Sequence, residues 1–469
     1  MSELTRRAFL ARSLGCAALS DTALLSSLLS LRLTRAAVAA SPPAGYRALV
    51  CVFLSGGNDS FNLLVPADEE PYEGYRLARR DVALAAPALH PIHDPASGRS
   101  FGLHPAVPEL AELYRSGRLA FIANVGTLVE PITRADFARP EKLPLGLFSH
   151  RDQQREWQTS LSHSRYEASG WAGRMAEILT DPRAGADTTF MSIALDRVNV
   201  MQTGRRAVPY VIEAKGGIEK LAGYGLDNPF DRALTAATDR LSRHAYEDPL
   251  ERSYARVRRQ AIDAAVAYDD ATRSVEIRTE FPGTRLGDGL RQVARAIGAR
   301  GKLGHAHQIF FVEHAGWDHH DALLERQEVL LAELSRALKA FHGATVELGV
   351  ADRVVTFTIS DFGRTLSSNG RGTDHAWGGN QMILGGGVRG GRVYGRYPPS
   401  LAPDNEIDVG RGVLIPTTSV DEYHAELAMW FGLANDSTLE AVLPNLRNFY
   451  PATATAPPLG WMGARPWEA

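Results

Sequence analysis

ALVCVFLSGGNDSFN, residues 48–62, is the stretch on which the fold reading rests. Ala48–Leu54 is apolar throughout and runs straight into Ser55-Gly56-Gly57-Asn58-Asp59. A short apolar run closed by a turn signal reads as a strand buried on both faces. Such strands belong to largely parallel sheets covered by helices on either side. Similar runs recur at Leu119–Val125, Phe190–Leu195, Ile309–Val312, Val354–Ile359 and Gln381–Leu384. Helical patterns lie between and beyond them. Pro105–Tyr114 has prolines in its first turns. His150–Thr159 opens after Ser149, a good N-cap. Leu250–Arg273, Leu290–Arg300, Asp321–Leu348 and Val420–Phe431 complete the set, the third with a leucine row along one side. The expected fold class is therefore α/β, with a mainly parallel central sheet flanked by helices and Ala48–Leu54 near its middle. Residues 204–283 carry few strand signals and are expected to form a helical insertion or cap outside the sheet. The chain after about Pro444 is expected to be a surface coil. No internal repeat and no long linker follow residue 45, so residues 40–469 are expected to form one domain.

The N-terminus has another character. Thr5-Arg6-Arg7-Ala8-Phe9-Leu10 pairs two arginines with Phe-Leu, as a twin-arginine export signal does. The apolar stretch from about Leu14 to Leu33 is interrupted by Asp21 and Arg32, which makes it a poor membrane span. Ala37-Val38-Ala39 is a small-x-small cleavage site. Cys16 stands at the start of the apolar stretch, whereas a lipoprotein cysteine stands at its end. The expectation is a signal peptide over 1–39 and a periplasmic or secreted mature chain with no stable membrane span. Removing those residues leaves 46 basic and 52 acidic side chains, a net charge of −6, which argues against a nucleic-acid partner. Cys51 alone then remains, so no intramolecular disulfide is expected and stability must come from the core.

Chemistry-bearing residues gather at the strand ends. Asp59 follows the first strand, where open α/β folds bind ligands; the alternative is a turn aspartate bonded to its own backbone. After Ile309–Val312 comes Glu313-His314-Ala315-Gly316-Trp317-Asp318-His319-His320. In an extended segment residues i and i+2 share a side, so Asp318 and His320 converge while His319 turns away. A carboxylate and an imidazole aimed at one point suit a borderline divalent cation; the alternative is Asp318 as a helix cap. A third group is Ser360-Asp361-Phe362-Gly363-Arg364-Thr365, with Asp374-His375 after a glycine-rich loop. Arg364 is a candidate partner for an anionic substrate, or else half of an internal ion pair. Ser149 at a helix start is a candidate nucleophile, the alternative being a plain N-cap. Three strand ends each delivering a carboxylate carry more weight together than any one alone.

FLSGGNDSFNLLVP (53–66), SHRDQQREWQTS (149–160), HAGWDHHDALLERQ (314–327), SDFGRT (360–365), GTDHAWGGNQMILGGGVRGGRVYGR (372–396) and TSVDEYHAELAMWFG (418–432) span nearly the whole chain in order. With the Arg-Arg signal they make the chain resemble the exported family called domain of unknown function 1501. That family looks like a distant branch of the alkaline phosphatase and sulfatase fold. The resemblance implies metal held by Asp59, Asp318, His320, Asp361 and His375, with Ser149 where a nucleophile helix begins. It also shows departures: Ser60 stands where Gly is expected, His319 where Thr is expected, and Asp361 where a longer Glu is expected. No Cys/Ser-x-Pro/Ala-x-Arg pattern follows Ser149, which disfavours a formylglycine sulfatase.

The leading expectation is an exported metal-dependent hydrolase of phosphoester or related anionic ester substrates, with a divalent metal such as Zn, Mn, Mg or Ca. The alternative is a non-catalytic envelope protein that binds a glycan or partner on a hydrolase-like fold. An oxidoreductase or maturation factor is weakened because no G-x-G-x-x-G fingerprint follows the first strand.

Overall fold

The computed structural model describes residues 45–164, 167–180, 189–218, 221–433 and 436–462. The arginine pair, the apolar stretch, Cys16 and the Ala37-Val38-Ala39 site lie outside the described residues.

The strands, in chain order, are β1 (Arg47–Ser55), β2 (Leu64–Pro66), β3 (His90–His93), β4 (Ser100–Leu103), β5 (Leu119–Gly126), β6 (Ser192–Leu195), β7 (Tyr210–Ile212), β8 (His307–Ala315), β9 (Val354–Ser360), β10 (Gly379–Gly385), β11 (Val393–Gly395) and β12 (Thr418–Ser419). A nine-stranded sheet runs β11-β5-β10-β9-β1-β8-β6-β7, with β12 also on β5, and β2-β4-β3 form a small antiparallel sheet. The large sheet is mixed and mostly parallel. β1 pairs in parallel with both β8 and β9, while β10 runs against both of its neighbours.

The apolar run of β1 is uniform because it has two cores to fill. Ala48, Val50, Val52 and Leu54 point into one and Leu49, Cys51 and Phe53 into the other, as the two-residue period of a strand requires. The longer helices are α1 (Glu69–Arg79), α2 (Pro108–Arg115), α3 (His150–Thr159), α4 (Trp171–Leu179), α5 (Pro229–Arg243), α6 (Pro249–Thr272), α7 (Arg285–Gly298), α8 (Leu323–Glu347) and α9 (Val420–Phe431), and all but α5 help to cover these faces. Tryptophans 157 and 171 are packing residues of the second core.

Two expectations need correction. Residues 204–283 are not wholly outside the sheet, because Tyr210–Ile212 pairs with β6 as its edge strand. Three residues are too few for the alternation of β7 to stand out in sequence. Nor does the chain after Pro444 only hug the surface, since Leu446, Tyr450 and Trp461 are buried in the second core. The Glu426 carboxylate, on α9, accepts bonds from the backbone N–H groups of Leu459, Gly460 and Met462 at 2.7–2.9 Å.

Topology places the site. β1, β8 and β9 are parallel, so their carboxyl ends open at one edge of the sheet. β10 runs the other way, so its amino end lies at that same edge and the loop entering it joins the three strand exits.

Candidate metal centre

Three loops and one helix start meet at this edge. After β1, Gly56 has φ +121, and a Cβ there would lie 2.6 Å from the Asp318 backbone nitrogen, so only glycine lets the first loop approach the second. Trp317, fully buried, anchors the loop after β8, and its N–H bonds to the Ser55 carbonyl at 3.1 Å. Asp318 does not cap the following helix: the N-cap of α8 is Ala322, with no side-chain cap bond. The loop after β9 pairs with the loop before β10 through Gly363 N to Trp377 O (2.8 Å), Ala376 N to Gly363 O (3.0 Å) and Thr365 N to Asp374 O (3.0 Å). This antiparallel zip brings His375 back beside Phe362. Helix α3 starts at the same edge, with Ser149 as its N-cap accepting from Asp152 N at 3.4 Å, and presents His150 from its first turn.

His150, Asp318 and His375 each offer one donor atom, and these atoms lie within 4.8 Å of one another. His320 joins from the side, its Nε2 lying 3.1 Å from Asp318 Oδ1 and 3.0 Å from His375 Nε2. The tautomers follow from the other ring nitrogens. His375 Nδ1 sits 2.9 Å from the Phe148 carbonyl, His320 Nδ1 is 3.1 Å from Asp374 Oδ1, and His150 Nδ1 is 2.6 Å from Asp361 Oδ2. A carbonyl or carboxylate can only accept, so each Nδ1 donates, and in the neutral tautomer that this fixes the Nε2 lone pair turns inward. Those lone pairs face Asp318, at 3.5 Å for His150 and 3.3 Å for His375. Acceptors facing acceptors repel unless a cation, proton or metal, lies among them. Imidazoles held at Nδ1 by oxygen with Nε2 free are also the usual arrangement around a bound metal. The donor set therefore fits a divalent ion.

The electrostatics differ from ring to ring. Burial alone would raise the Asp318 carboxyl, but the hydrogen bond and charge of Arg364, then the charges of His320 and His150, hold it below its usual value. Burial lowers the His375 imidazole, keeping it neutral, whereas the Asp361 hydrogen bond raises His150. Asp374 is pushed up by burial, but bonds from Asn369, Arg411 and His320 outweigh this and hold it at about 2.

The expected site residues divide. Asp318, His320 and His375 come together. Asp361 is fully buried one step behind, accepting from Gly56 N, Gln154 Nε2 and His150 Nδ1, so it positions His150 rather than facing the cluster itself. Its shorter side chain reaches His150 instead. Asp59 is elsewhere: fully buried, it pairs with Arg79 of α1 at 2.7 Å and accepts from Thr373 Oγ1 at 2.9 Å. Arg364 is also buried. Its guanidinium bonds to the Gly56, Gly57, Thr373 and Trp317 carbonyls and to Asp318. It braces loops and has no free face for a substrate. His150, Asp374 and Arg79 escaped the sequence reading, although the first two adjoin residues that it selected, Ser149 and His375.

Residues 46–439 match the family described as "Protein of unknown function (DUF1501)". The chain belongs to the DUF1501 family. No curated protein matches this DUF1501 chain. Among solved structures it is similar to the C-terminal periplasmic domain of EcEptC from Escherichia coli, in complex with Zn, at 9% identity and TM-score 0.29, covering 74% of each chain. It is similar also to the soluble domain of lipooligosaccharide phosphoethanolamine transferase A from Neisseria meningitidis, at 11% identity and TM-score 0.32, over 86% of this chain and 95% of that one. A putative sulfatase from Bacteroides thetaiotaomicron is similar at 9% identity and TM-score 0.30, over 85% and 75%. Likenesses this low carry no argument for the chemistry of a DUF1501 chain, which stands on its own residues.

Proposed function

We propose that His150, Asp318 and His375, flanked by His320, hold one divalent metal, and that the protein is an exported metal-dependent hydrolase of phosphoester or related anionic ester substrates. One observation carries this reading: three imidazoles committed at Nδ1 to oxygen acceptors turn their Nε2 lone pairs toward a single carboxylate. A nitrogen-rich set of this kind favours zinc or manganese over calcium or magnesium. When bound, the metal supplies Lewis acidity toward an ester or phosphoryl oxygen. The chain does the positioning. Asp361 holds His150, the Phe148 carbonyl holds His375, Asp374 holds His320 and Arg364 steadies Asp318. Ser149 caps α3 through its Oγ, and the nucleophile favoured here is water. The arginine pair and Ala37-Val38-Ala39 site support export. The engagement of Arg364 by backbone favours a second reading, an envelope protein that keeps the metal without turnover.

Metal analysis of protein purified from the periplasm tests this, followed by a phosphoester panel. Stoichiometric zinc or manganese is expected. Asp318→Ala and His375→Ala should each lower it, and His319→Gln should not. Hydrolysis that a chelator abolishes and the metal restores would establish the enzyme. Metal without turnover moves the case to the second reading, and metal-free protein that gains none on incubation ends both.

A further inference from the structure

The loop Asp408-Val409-Gly410-Arg411-Gly412 touches the metal centre through one side chain, that of Arg411. Its backbone there is unusual. Gly410, Arg411 and Gly412 have φ of 123, 58 and 75° in succession. Glycine accepts such angles freely, whereas the Cβ of an arginine makes the left-handed region unfavourable. The turn is held in place all the same. The Gly410 and Gly412 N–H groups donate to the buried Asp408 carboxylate at 2.8 and 2.9 Å. A Cβ at Gly412 would lie 2.4 Å from that of Leu366, so only glycine lets the loop close on the chain after β9. Leu366 N then bonds to the Gly412 carbonyl at 3.0 Å, and Ser367 N to the Arg411 carbonyl at 3.2 Å.

Among the described residues Arg411 meets one carboxylate, Nη2 to Asp374 Oδ2. Both members of the pair stand on one mount. Thr365, next to Leu366, donates its N–H to the Asp374 carbonyl and accepts the Asp374 N–H on its Oγ1, each at 3.0 Å. The two oxygens of Asp374 are divided. Oδ2 takes Arg411, while Oδ1 takes His320 Nδ1 at 3.1 Å and Asn369 Nδ2 at 3.0 Å. A carboxylate turns readily about its Cβ–Cγ bond. A donor on Oδ2 stops that turn with Oδ1 aimed at His320, as the outer partners of metal ligands do.

Stability does not account for this arrangement. The Arg411 side chain is 63% exposed, and an ion pair so open contributes little. The backbone beneath it is unfavourable as well. What the pair controls is the ring of His320, whose Nε2 lies 3.0 Å from His375 Nε2 and 3.1 Å from Asp318 Oδ1. The His320 side chain is 45% exposed, so its ring is free to swing toward solvent unless Nδ1 is held.

We propose, on the reading of this centre as a metal site, that Arg411 is one of its positioning residues: by fixing the Asp374 carboxylate it holds the His320 ring with Nε2 toward the ion. The test measures the zinc and manganese affinity of the full chain by competition with a chromogenic chelator. Arg411→Gly should lower affinity about tenfold, the lower end of what outer partners of metal ligands contribute. Loss of a nearby cation would by charge alone raise it, so the direction separates positioning from electrostatics. The melting temperature of the metal-free Arg411→Gly chain should not fall, because glycine accepts the positive φ at this position. Arg411→Lys keeps a cationic donor and should lose less than about threefold. In a His320→Ala chain the further change Arg411→Gly should alter affinity by less than about twofold, since the two act through one contact. Affinity that is unchanged or higher in Arg411→Gly overturns the proposal and leaves the metal centre standing. A fall of about tenfold that persists without His320 does the same. A parent chain that takes up neither metal ends the metal reading and this proposal together.

Discussion

Asp59 and Asp318 leave neighbouring parallel strands at the same edge of one sheet, and they meet opposite surroundings. Asp59 is sealed from solvent, and the chain itself supplies its cation, Arg79, over a 2.7 Å contact. Asp318 is 45% exposed and faces three imidazoles as well as Arg364. Arg364 spreads its donors over four backbone carbonyls, so one guanidinium does not satisfy the acceptors gathered there. Each aspartate meets a buried arginine, and what separates them is that Asp318 is also open to solvent and ringed by imidazoles, whereas Asp59 is sealed in with Arg79 and Thr373.

The contrast predicts different failures. Asp59→Ala should leave Arg79 charged and unpaired in the core, costing about 3–5 kcal/mol in chemical denaturation, with metal content per folded molecule unchanged. Asp59→Leu with Arg79→Met should recover most of that loss, because a buried pair replaced by apolar groups of similar volume is often neutral. Loss of metal from the folded Asp59→Ala chain would erase the distinction. Asp361→Asn comes next. It keeps the volume but weakens the acceptor that orients His150, and metal affinity should fall about 10- to 100-fold with little change in stability. An unchanged affinity would remove Asp361 and His150 from the centre together.

The smallest effect concerns pH. His104 is buried, and burial, then the neighbouring His90, lowers its imidazole to about 4, with Asp59 opposing weakly. Its folded value is thus below the usual 6.5, so its contribution to stability is intact above about pH 6.5 and is lost as pH falls toward 4. Melting temperature measured from pH 7 to 4.5 should decline less steeply in His104→Leu than in the parent chain. Parallel curves would show that His104 titrates alike in the folded and unfolded chain.

Much of the fold was readable because β1, β5, β8 and β9 are apolar on both faces and end in turn signals. The direction of β10 was not. Gln381–Leu384 looks like any buried strand, and nothing in its three apolar residues says which way they run beside β9. The short strands β7, β11 and β12 hold two or three residues each and leave no period to detect. At the site, the i, i+2 argument brought Asp318 and His320 to one side, and they do meet at 3.1 Å. Asp59 misled because its partner Arg79 sits twenty residues on, in a helix whose arginines look like surface charge. Arg364 misled for a related reason: its acceptors are carbonyls of three separate loops, and backbone geometry leaves no mark on residue identity. His150 was overlooked beside Ser149, because a histidine just inside a polar helix looks solvated until the sheet edge is placed against it.

The pairing of β1 has a consequence for how this chain is made. Arg47 aligns with His307 and Ala48 with Val354, so the central strand waits for partners about 260 and 306 residues downstream. At translation rates of about 5–20 residues per second, both edges of an entirely apolar strand stay unpaired for roughly ten to sixty seconds. Contacts of such long range also make for slow folding once synthesis ends. During that interval Ala48–Leu54 is exposed to mispairing, and holding it apart is the natural work of a chaperone.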